Sequence, residues 1–255
     1  WSSSGGALDV GNWPVTKFAT LLNGRIYAAG NSTNPNRLYA SSIVSSGAVS
    51  WTSGNKNVDI FPNDGTGSIT GLIGNGRLAL VFKDRALYRY DDNEIQRVAS
   101  IGTPSHESVQ TDDNGVTYFF GQGANTVGFY RTGGGTPQKI SRAIQKWVEA
   151  ISASFYANVS SYTDGSKIVW SVGSVTVDGV TYTNACYAYT ISDQTWEVYD
   201  YADRFRVYAQ YIDGNSNVTT VAGDTDGFVQ TINSGTTDGI VGSTAGAAIN
   251  AEVEF

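Results

Sequence analysis

Four pairs of aspartates stand close enough in the sequence to suggest acid–base chemistry. They are Asp91 with Asp92, Asp112 with Asp113, Asp200 with Asp203, and Asp224 with Asp226. A glycosidase needs two carboxyl groups that face each other across a cleft. Most of these aspartates, however, stand beside Gly or Asn, where an Asp side chain commonly bonds the nearby backbone in a turn. We therefore interpret the pairs as turn residues, and we predict no catalytic residue and no enzymatic activity.

Few side chains in the chain are suited to metal binding or nucleophilic attack. There is one Cys, Cys186, and one His, His106. This count excludes a disulfide framework and any zinc site that needs several Cys or His ligands. The segment GDTDG (223–227) has the beginning of a calcium loop, but the residues that follow fit a strand and supply no late Glu. We expect His106 to be a loop residue, Cys186 to pack in an alternating strand, and no metal or cofactor to be required.

Other short motifs also lack the residues that their chemistry needs. The glycine-rich segments GTGSITG (65–71), GQG (121–123) and TGGGT (132–136) have no P-loop lysine and open no long helix. SDQTW (192–196) loosely resembles the Asp-box of sialidase propellers, but its Trp lies too close to its Ser, and the 16 basic residues show no arginine cluster.

Composition and charge narrow the protein class further. The 255 residues include 30 Gly, 12% aromatic and only 15% charged residues, which favours an all-β protein with many tight turns. The net charge of −7 and the absence of a basic stripe disfavour tight binding to nucleic-acid phosphates. No apolar run is long enough to span a membrane. Because the chain starts with Trp1, ends with Phe255 and has no Met, we expect a segment of a longer protein or a processed chain.

A repeated pattern organises the sequence. An Asn-Gly or Asp-Gly turn followed by an alternating apolar run occurs five times, with the turn glycines at 24, 76, 115, 165 and 214. Such turns supply the positive φ angles of a two-residue hairpin, so each copy predicts a strand pair. A strand precedes each turn and a third strand with an aromatic residue follows. Predicted fourth strands are VSWTS (49–53), IQRVAS (95–100), QKIS (138–141) and TWEVYD (195–200), and AAINAEVEF (247–255) is the candidate for the fifth unit.

Four antiparallel strands repeated every ~40–50 residues indicate a β-propeller blade. The sequence therefore predicts a β-propeller of about five four-stranded blades over 15–240, after a lead-in segment at 1–14. Residues 241–255 are either a closing strand or the start of a further β domain. One short helix is predicted within SRAIQKWVEAI (141–151) from its apolar spacing. The alternative fold is a β-sandwich with irregular hairpins.

The segment NWPVTKFATLLNGRIYAAGNSTNPNRLYAS (12–41) resembles a recurrent stretch in virion proteins of tailed bacteriophages. The runs RLALVFKDRALYRY (77–90), GTPQKISRAI (135–144) and DGFVQTINSGTTDG (226–239) are also similar. The family implied is the propeller-containing tail proteins, such as the tail nozzle or DNA-stabilising plug of short-tailed phages. The resemblance implies a ring, commonly of six copies, that sits below the portal and adaptor proteins and lets packaged DNA pass during ejection.

We therefore expect a non-enzymatic structural protein of the phage tail, located in the virion. Its expected partners are copies of itself in a ring of about six, together with other tail or portal-adaptor proteins. Packaged DNA is expected only to pass through the ring. An acidic channel wall that repels phosphates fits this role, although the charge also serves solubility. The intervals 54–68 and 173–181 are expected to be polar contact loops. The alternative is a carbohydrate-binding or glycosidase-type propeller used in receptor recognition, which exposed Trp and Tyr on one face would favour.

Overall fold

A computed structural model describes residues 13–44, 49–212, 214, 216 and 218–232, and in addition the strand pairing of 237–238, 247–248 and 250–252. The chain is mostly β-structure, and its antiparallel sheets follow one another in a ring as a five-bladed β-propeller. The fold class predicted from the repeat is therefore confirmed. None of the helices in these described parts has the length and apolarity that a membrane span requires.

Each blade is a meander in which consecutive strands are neighbours. The first blade contains β1 (Phe18–Leu22), β2 (Arg25–Ala29), β3 (Arg37–Ile43) and β4 (Lys56–Asp59). The second contains β5 (Ile69–Asn75), β6 (Leu78–Lys83), β7 (Ala86–Tyr90) and β8 (Ile95–Ala99). The third contains β9 (Gln110–Thr111), β10 (Thr117–Gln122), β11 (Val127–Thr132) and β12 (Gln138–Lys139).

The last two blades complete the ring. The fourth contains β13 (Ser160–Thr163), β14 (Lys167–Val177), β15 (Val180–Thr190) and β16 (Trp196–Asp200). The fifth contains β17 (Phe205–Ile212), β18 (Val218–Asp224) and β19 (Val229–Thr231). Two strands, β20 (Thr237–Asp238) and β21 (Ala247–Ala248), pair with each other, and β22 (Asn250–Glu252) pairs with β16 at the edge of the fourth blade.

The predicted turns join the first two strands of the blades. Gly24, Gly76, Gly115 and Gly165 all have positive φ angles, between 60° and 90°. A side chain is strained at such angles, which favours glycine. The predicted two-residue reversal is present in the first two blades. It is wrong for the turns at Gly115 and Gly165, where longer connections join the paired strands. The turn around Gly214 lies mostly outside the described residues.

One predicted strand is wrong. Residues 49–53 (VSWTS) form no strand, and the chain bends from Trp51 onward. The fourth strand of the first blade is β4, which begins at Lys56. The reason is local, because the Ser50 hydroxyl accepts hydrogen bonds from the backbone N–H groups of Thr52 and Ser53. A serine that bonds the backbone ahead of it favours a turn over an extended strand.

The helical content also departs in part from the expectation. The predicted helix within 141–151 is present as α1 (Gln145–Glu149). Two 3₁₀ segments, His106–Ser108 and Ala153–Asn158, precede the strands that lead into the turns at Gly115 and Gly165. As a result β9 is only two residues long and β13 begins at Ser160.

Aromatic and branched side chains fill the spaces between adjacent blades. Between the third and fourth blades, the ring of Phe129 lies 4.5 Å from Trp170 and 5.4 Å from Trp196. Similar clusters join the first blade to the second, the second to the third and the fourth to the fifth. A single sheet would leave the apolar side chains on its faces exposed to solvent. Packing against the neighbouring blades buries these side chains and stabilises the fold.

The ends of the chain fall largely outside this description. The predicted lead-in segment 1–14 is described only at Trp13 and Pro14. Of 241–255, only the pairings of β21 and β22 are described, and β22 adds to the fourth blade rather than to the fifth. Whether 241–255 continues into a further domain stays a prediction.

Candidate functional site

The first strand of each blade is its inner strand, because the first strands of neighbouring blades contact one another, as β1 contacts β5 and β13 contacts β17. A pocket of about 520 Å³ opens at the end of the propeller where the inner strands of the first three blades begin. Its walls come from short segments at the starts of β1, β5 and β9, from the connection between β2 and β3, and from Ala157 just before β13. These segments are far apart in the sequence, and only the ring of blades brings them together. The lining includes Lys17, Phe18, His106 and Glu107.

His106 is fixed in the wall of this pocket. The backbone N–H of Leu72 donates to its Nδ1 (3.4 Å), and the imidazole lies 4.7 Å from the ring of Phe18. Since Nδ1 is an acceptor, the proton of the neutral ring resides on Nε2, which is then a donor. Burial lowers the pKa of His106, and the nearby Glu107 only partly opposes this effect. At neutral pH the ring is therefore an uncharged hydrogen-bond donor.

The two serines that flank His106 do not form a nucleophile–base pair with it. The Ser105 hydroxyl donates to the carbonyl oxygen of Val159 (2.7 Å), and the Ser108 hydroxyl donates to the carbonyl oxygen of Ser105 (2.8 Å). Both hydroxyls thus serve backbone groups, whereas nucleophilic catalysis needs the hydroxyl within reach of a base. Sequence reasoning placed His106 in a loop. It lies instead in a 3₁₀ segment that lines the pocket.

Three of the aspartates behave as turn residues, whereas the turn interpretation is wrong for Asp200, which ends strand β16. Oδ1 of Asp112 accepts the N–H groups of Asn114 (3.0 Å) and Val116 (2.8 Å), and Oδ1 of Asp224 accepts those of Asp226 (2.9 Å) and Phe228 (2.8 Å). Asp91 accepts the N–H groups of Glu94 and Asn93, which lower its pKa. The same two-bond turn thus recurs in the third and fifth blades, and the turn interpretation of these three residues is confirmed.

The remaining aspartates also have structural partners. Asp200 accepts the backbone N–H of Asn184 (2.8 Å), and Asp203 accepts Nε2 of Gln230 (2.8 Å). Asp92 bonds the Tyr27 hydroxyl and lies 3.5 Å from the Lys56 ammonium. Within the described ranges, no three His, Cys, Asp or Glu side chains converge in a way that could hold a metal ion.

Cys186 and Trp196 both belong to the interior. Cys186 is buried in β15, as predicted. Trp196 of the SDQTW segment is also buried, and its indole N–H donates to the carbonyl oxygen of Ile140 (3.4 Å). Trp51, Trp147 and Trp170 are buried as well, so Trp13 is the only partly exposed tryptophan among the described residues. These indoles therefore stabilise the blades and form no surface platform.

The surface feature that the sequence did not predict is a largely apolar sheet face that no other described segment covers. Val207, Ala209 and Tyr211 alternate along β17, and the register places Val221 of β18 opposite Ala209. Together with Val229 of β19, and with Thr219 and Thr231 on the same side of the sheet, they form what we call the outer face of the fifth blade. Val229 is 74% exposed and Val207 is 54% exposed.

A comparable surface lies on the first blade. Val15 and Leu21 are 81% and 68% exposed, and Lys17 and Ala19 between them are also exposed. We call these four residues the outer face of the first blade. Among the described residues, the apolar clusters join the blades in order from first to fifth, and none joins the fifth to the first.

The expected contact loops look different in the structure. Residues 173–181 are the end of the long hairpin formed by β14 and β15, with Asp178 and Gly179 at its tip. The interval 54–68 contains β4 and a segment pinned to the interior by Asp64. Neither interval is a free polar loop, because strand pairing or a buried ion pair holds it.

Comparisons with known proteins leave the family open. No family model matches the chain, and no curated protein matches it. One solved structure is the extracellular domain of a putative one component system from B. thetaiotaomicron, which is 12% identical to this chain with a TM-score of 0.45. The match covers 84% of this chain and 27% of that structure's chain. A second is the extracellular domain of a putative hybrid two component system of that organism, which is 11% identical with a TM-score of 0.27. This match covers 95% of the present chain and 50% of that structure's chain. The chain thus spans half or less of these neighbours, and likenesses this weak support no inference about function.

Proposed function

We propose that this chain is a non-enzymatic structural protein of a phage virion, a ring-forming component of the tail's DNA conduit. The observation that carries the proposal is where the exposed apolar side chains lie. In the described part of the chain, all the large exposed apolar side chains except Phe61 and Val180 lie on or beside the first and fifth blades. Apolar surface concentrated in this way marks a site of protein association.

The two outer faces suit a head-to-tail contact. The first and fifth blades are neighbours in the ring, and no apolar cluster of described residues fills the space between them. A contact between the fifth blade of one copy and the first blade of the next would therefore use two different surfaces. Such heterologous contacts form a closed ring when the rotation between copies closes. The resemblance to tail proteins is what favours about six copies, with other tail or portal-adaptor proteins as further neighbours.

Charge also supports a conduit that does not hold DNA. The net charge of −7 repels phosphates, and a channel through which DNA slides needs weak contacts. The sequence has no run of basic residues that would neutralise a series of phosphates.

The alternative of a glycosidase or a surface carbohydrate platform has less support. Asp112 and Asp224 accept backbone hydrogen bonds in turns, and four of the five described tryptophans are buried. A glycosidase needs two carboxyl groups across a cleft, and a platform needs exposed aromatic faces.

Electron microscopy of the purified chain tests the ring, and a DNA titration tests the conduit. We expect rings of about six copies, with no measurable affinity for double-stranded DNA at physiological salt. Particles that remain single propellers at every concentration would contradict the ring. Nanomolar DNA binding that falls steeply as salt rises would contradict the conduit.

A further inference from the structure

We propose that the pocket at the inner-strand end of the propeller binds a neutral saccharide of one or two sugar units. This inference is argued from the pocket and not from the assembly proposed above, although Lys17 belongs both to the pocket and to the outer face of the first blade. The site is distinct from a surface aromatic platform, because its binding groups line a cavity.

The polar groups of the pocket offer both donors and acceptors. The carboxylate of Glu107 and the ammonium of Lys17 are exposed, and neither forms an ion pair with another described residue. Nε2–H of His106 is a third, uncharged group. A carboxylate accepts hydrogen bonds from sugar hydroxyls, whereas the ammonium and the imidazole donate to sugar oxygens.

The charged side chains of the pocket lining disfavour ligands that carry a net charge. Lys17 and Glu107 contribute one positive and one negative charge, and His106 is neutral because burial lowers its pKa. A phosphate or carboxylate ligand would be attracted by Lys17 but repelled by Glu107. A cationic ligand would be attracted by Glu107 but repelled by Lys17. A neutral ligand with many hydroxyl groups uses both side chains without either penalty.

The apolar part of the lining suits the carbon faces of a sugar ring. Phe18, Ile69, Pro35 and Pro104 contribute to the walls. Small-molecule pockets commonly have volumes of ~300–1,000 Å³ and combine apolar walls with a few placed polar groups. The observed volume of about 520 Å³ leaves room for one or two sugar units.

Hydrogen bonds hold the walls in place before any ligand binds. Nδ2 of Asn31 donates to the carbonyl oxygen of Val15 (2.8 Å), and its Oδ1 accepts the N–H groups of Thr33 (3.0 Å) and Asn34 (2.8 Å). Leu72 fixes the His106 ring in the same way. A pocket that is already formed loses less entropy on binding.

Saturation-transfer NMR on the full chain tests the proposal. The probes are glucose, galactose, N-acetylglucosamine and lactose, with glucose 6-phosphate and alanine as charged and zwitterionic comparisons. We expect at least one neutral sugar to bind with a Kd on the order of 1 mM, and more tightly than either comparison compound. Glu107→Ala should weaken that binding about tenfold, since a hydrogen bond to a charged group is lost. Glu94→Ala removes the same charge from an exposed turn outside the pocket and should leave binding unchanged.

Both variants change exposed side chains, so thermal melts should show them folded. The proposal is overturned if none of the neutral sugars gives a signal. It is also overturned if Glu107→Ala and Glu94→Ala bind equally well, or if glucose 6-phosphate or alanine binds more tightly than every neutral sugar.

Discussion

The ammonium nitrogen of Lys83 lies 3.1 Å from Oδ1 of Asp64, and the Lys83 side chain has no exposed surface. The same nitrogen donates to the carbonyl oxygen of Phe61 (2.9 Å). Lys83 ends β6 of the second blade, whereas Phe61 and Asp64 belong to the connection that leaves the first blade. This one side chain therefore holds the connection between two blades against the second sheet.

Replacing Lys83 by Met should destabilise the fold strongly. It removes one partner of a buried ion pair, which leaves the Asp64 carboxylate without its cation at a cost of ~3–5 kcal/mol. Arg37→Met is the matched control, since Arg37 forms an exposed pair with Asp59 (2.8 Å) that is worth ~0–1 kcal/mol. Urea unfolding of both variants measures the difference, and equal losses would contradict the role given to Lys83.

Gly102 should not tolerate a side chain. It exchanges two backbone hydrogen bonds with Gln122 and so joins the second blade to the third. A Cβ at this position would overlap the carbonyl oxygen of Lys83 and lie 2.6 Å from the backbone nitrogen of Ala86. We expect Gly102→Ala to cost ~2–4 kcal/mol, because backbone atoms must move.

Gly133→Ala is the control for this substitution. No atom lies within 4 Å of a Cβ built on Gly133, so we expect its melting temperature to stay close to that of the wild type. Equal melting temperatures for Gly102→Ala and Gly133→Ala would contradict the close backbone packing described at Gly102, between the second and third blades.

Asp112 and Asp113 provide a comparison of adjacent carboxylates. Asp112 is buried and accepts two backbone N–H groups, whereas Asp113 is exposed. Asp112→Ala should cost ~1–2 kcal/mol, like the loss of a helix cap, and Asp113→Ala should be near neutral. Thermal denaturation of the two variants measures this difference. Similar stability of the two variants would contradict the turn-stabilising role that we assign to Asp112.

The blades were predictable from the sequence and the pocket was not. Asn-Gly turns and alternating strands act within about ten residues, so the turn at Gly24 and the hairpin around it could be identified directly. Lys17, Ile69 and His106 meet only after three blades have packed, and no local pattern marks that meeting. The uncovered face of the fifth blade was also not evident, because Val207 and Val229 follow the same alternation as buried strands.

His106 should make the fold sensitive to mild acid. Burial lowers its pKa below the unfolded value of about 6.5, so the unfolded chain binds the proton more readily than the folded chain. Stability is therefore present above pH ~6.5 and is lost as the pH falls from there towards the folded pKa. Glu107 and Lys17 are the charged neighbours in the pocket.

The measurement for His106 is urea unfolding at several pH values for the wild type and for His106→Gln. The loss of stability just below pH ~6.5 should be smaller in the variant, because the titrating group is gone. Parallel stability curves for the two proteins would mean that another group is responsible for the acid sensitivity.

Sedimentation velocity of the chain over a range of concentrations tests the central claim, that the uncovered blade faces mediate assembly. The wild type should sediment as a closed oligomer of about six copies, and Val207→Glu with Val229→Glu should sediment as a monomer, since buried unpaired charges oppose association. Val180→Glu adds the same kind of charge at the exposed hairpin end and should assemble like the wild type. A wild-type chain that is monomeric at every concentration, or a double variant that still assembles, would contradict the account.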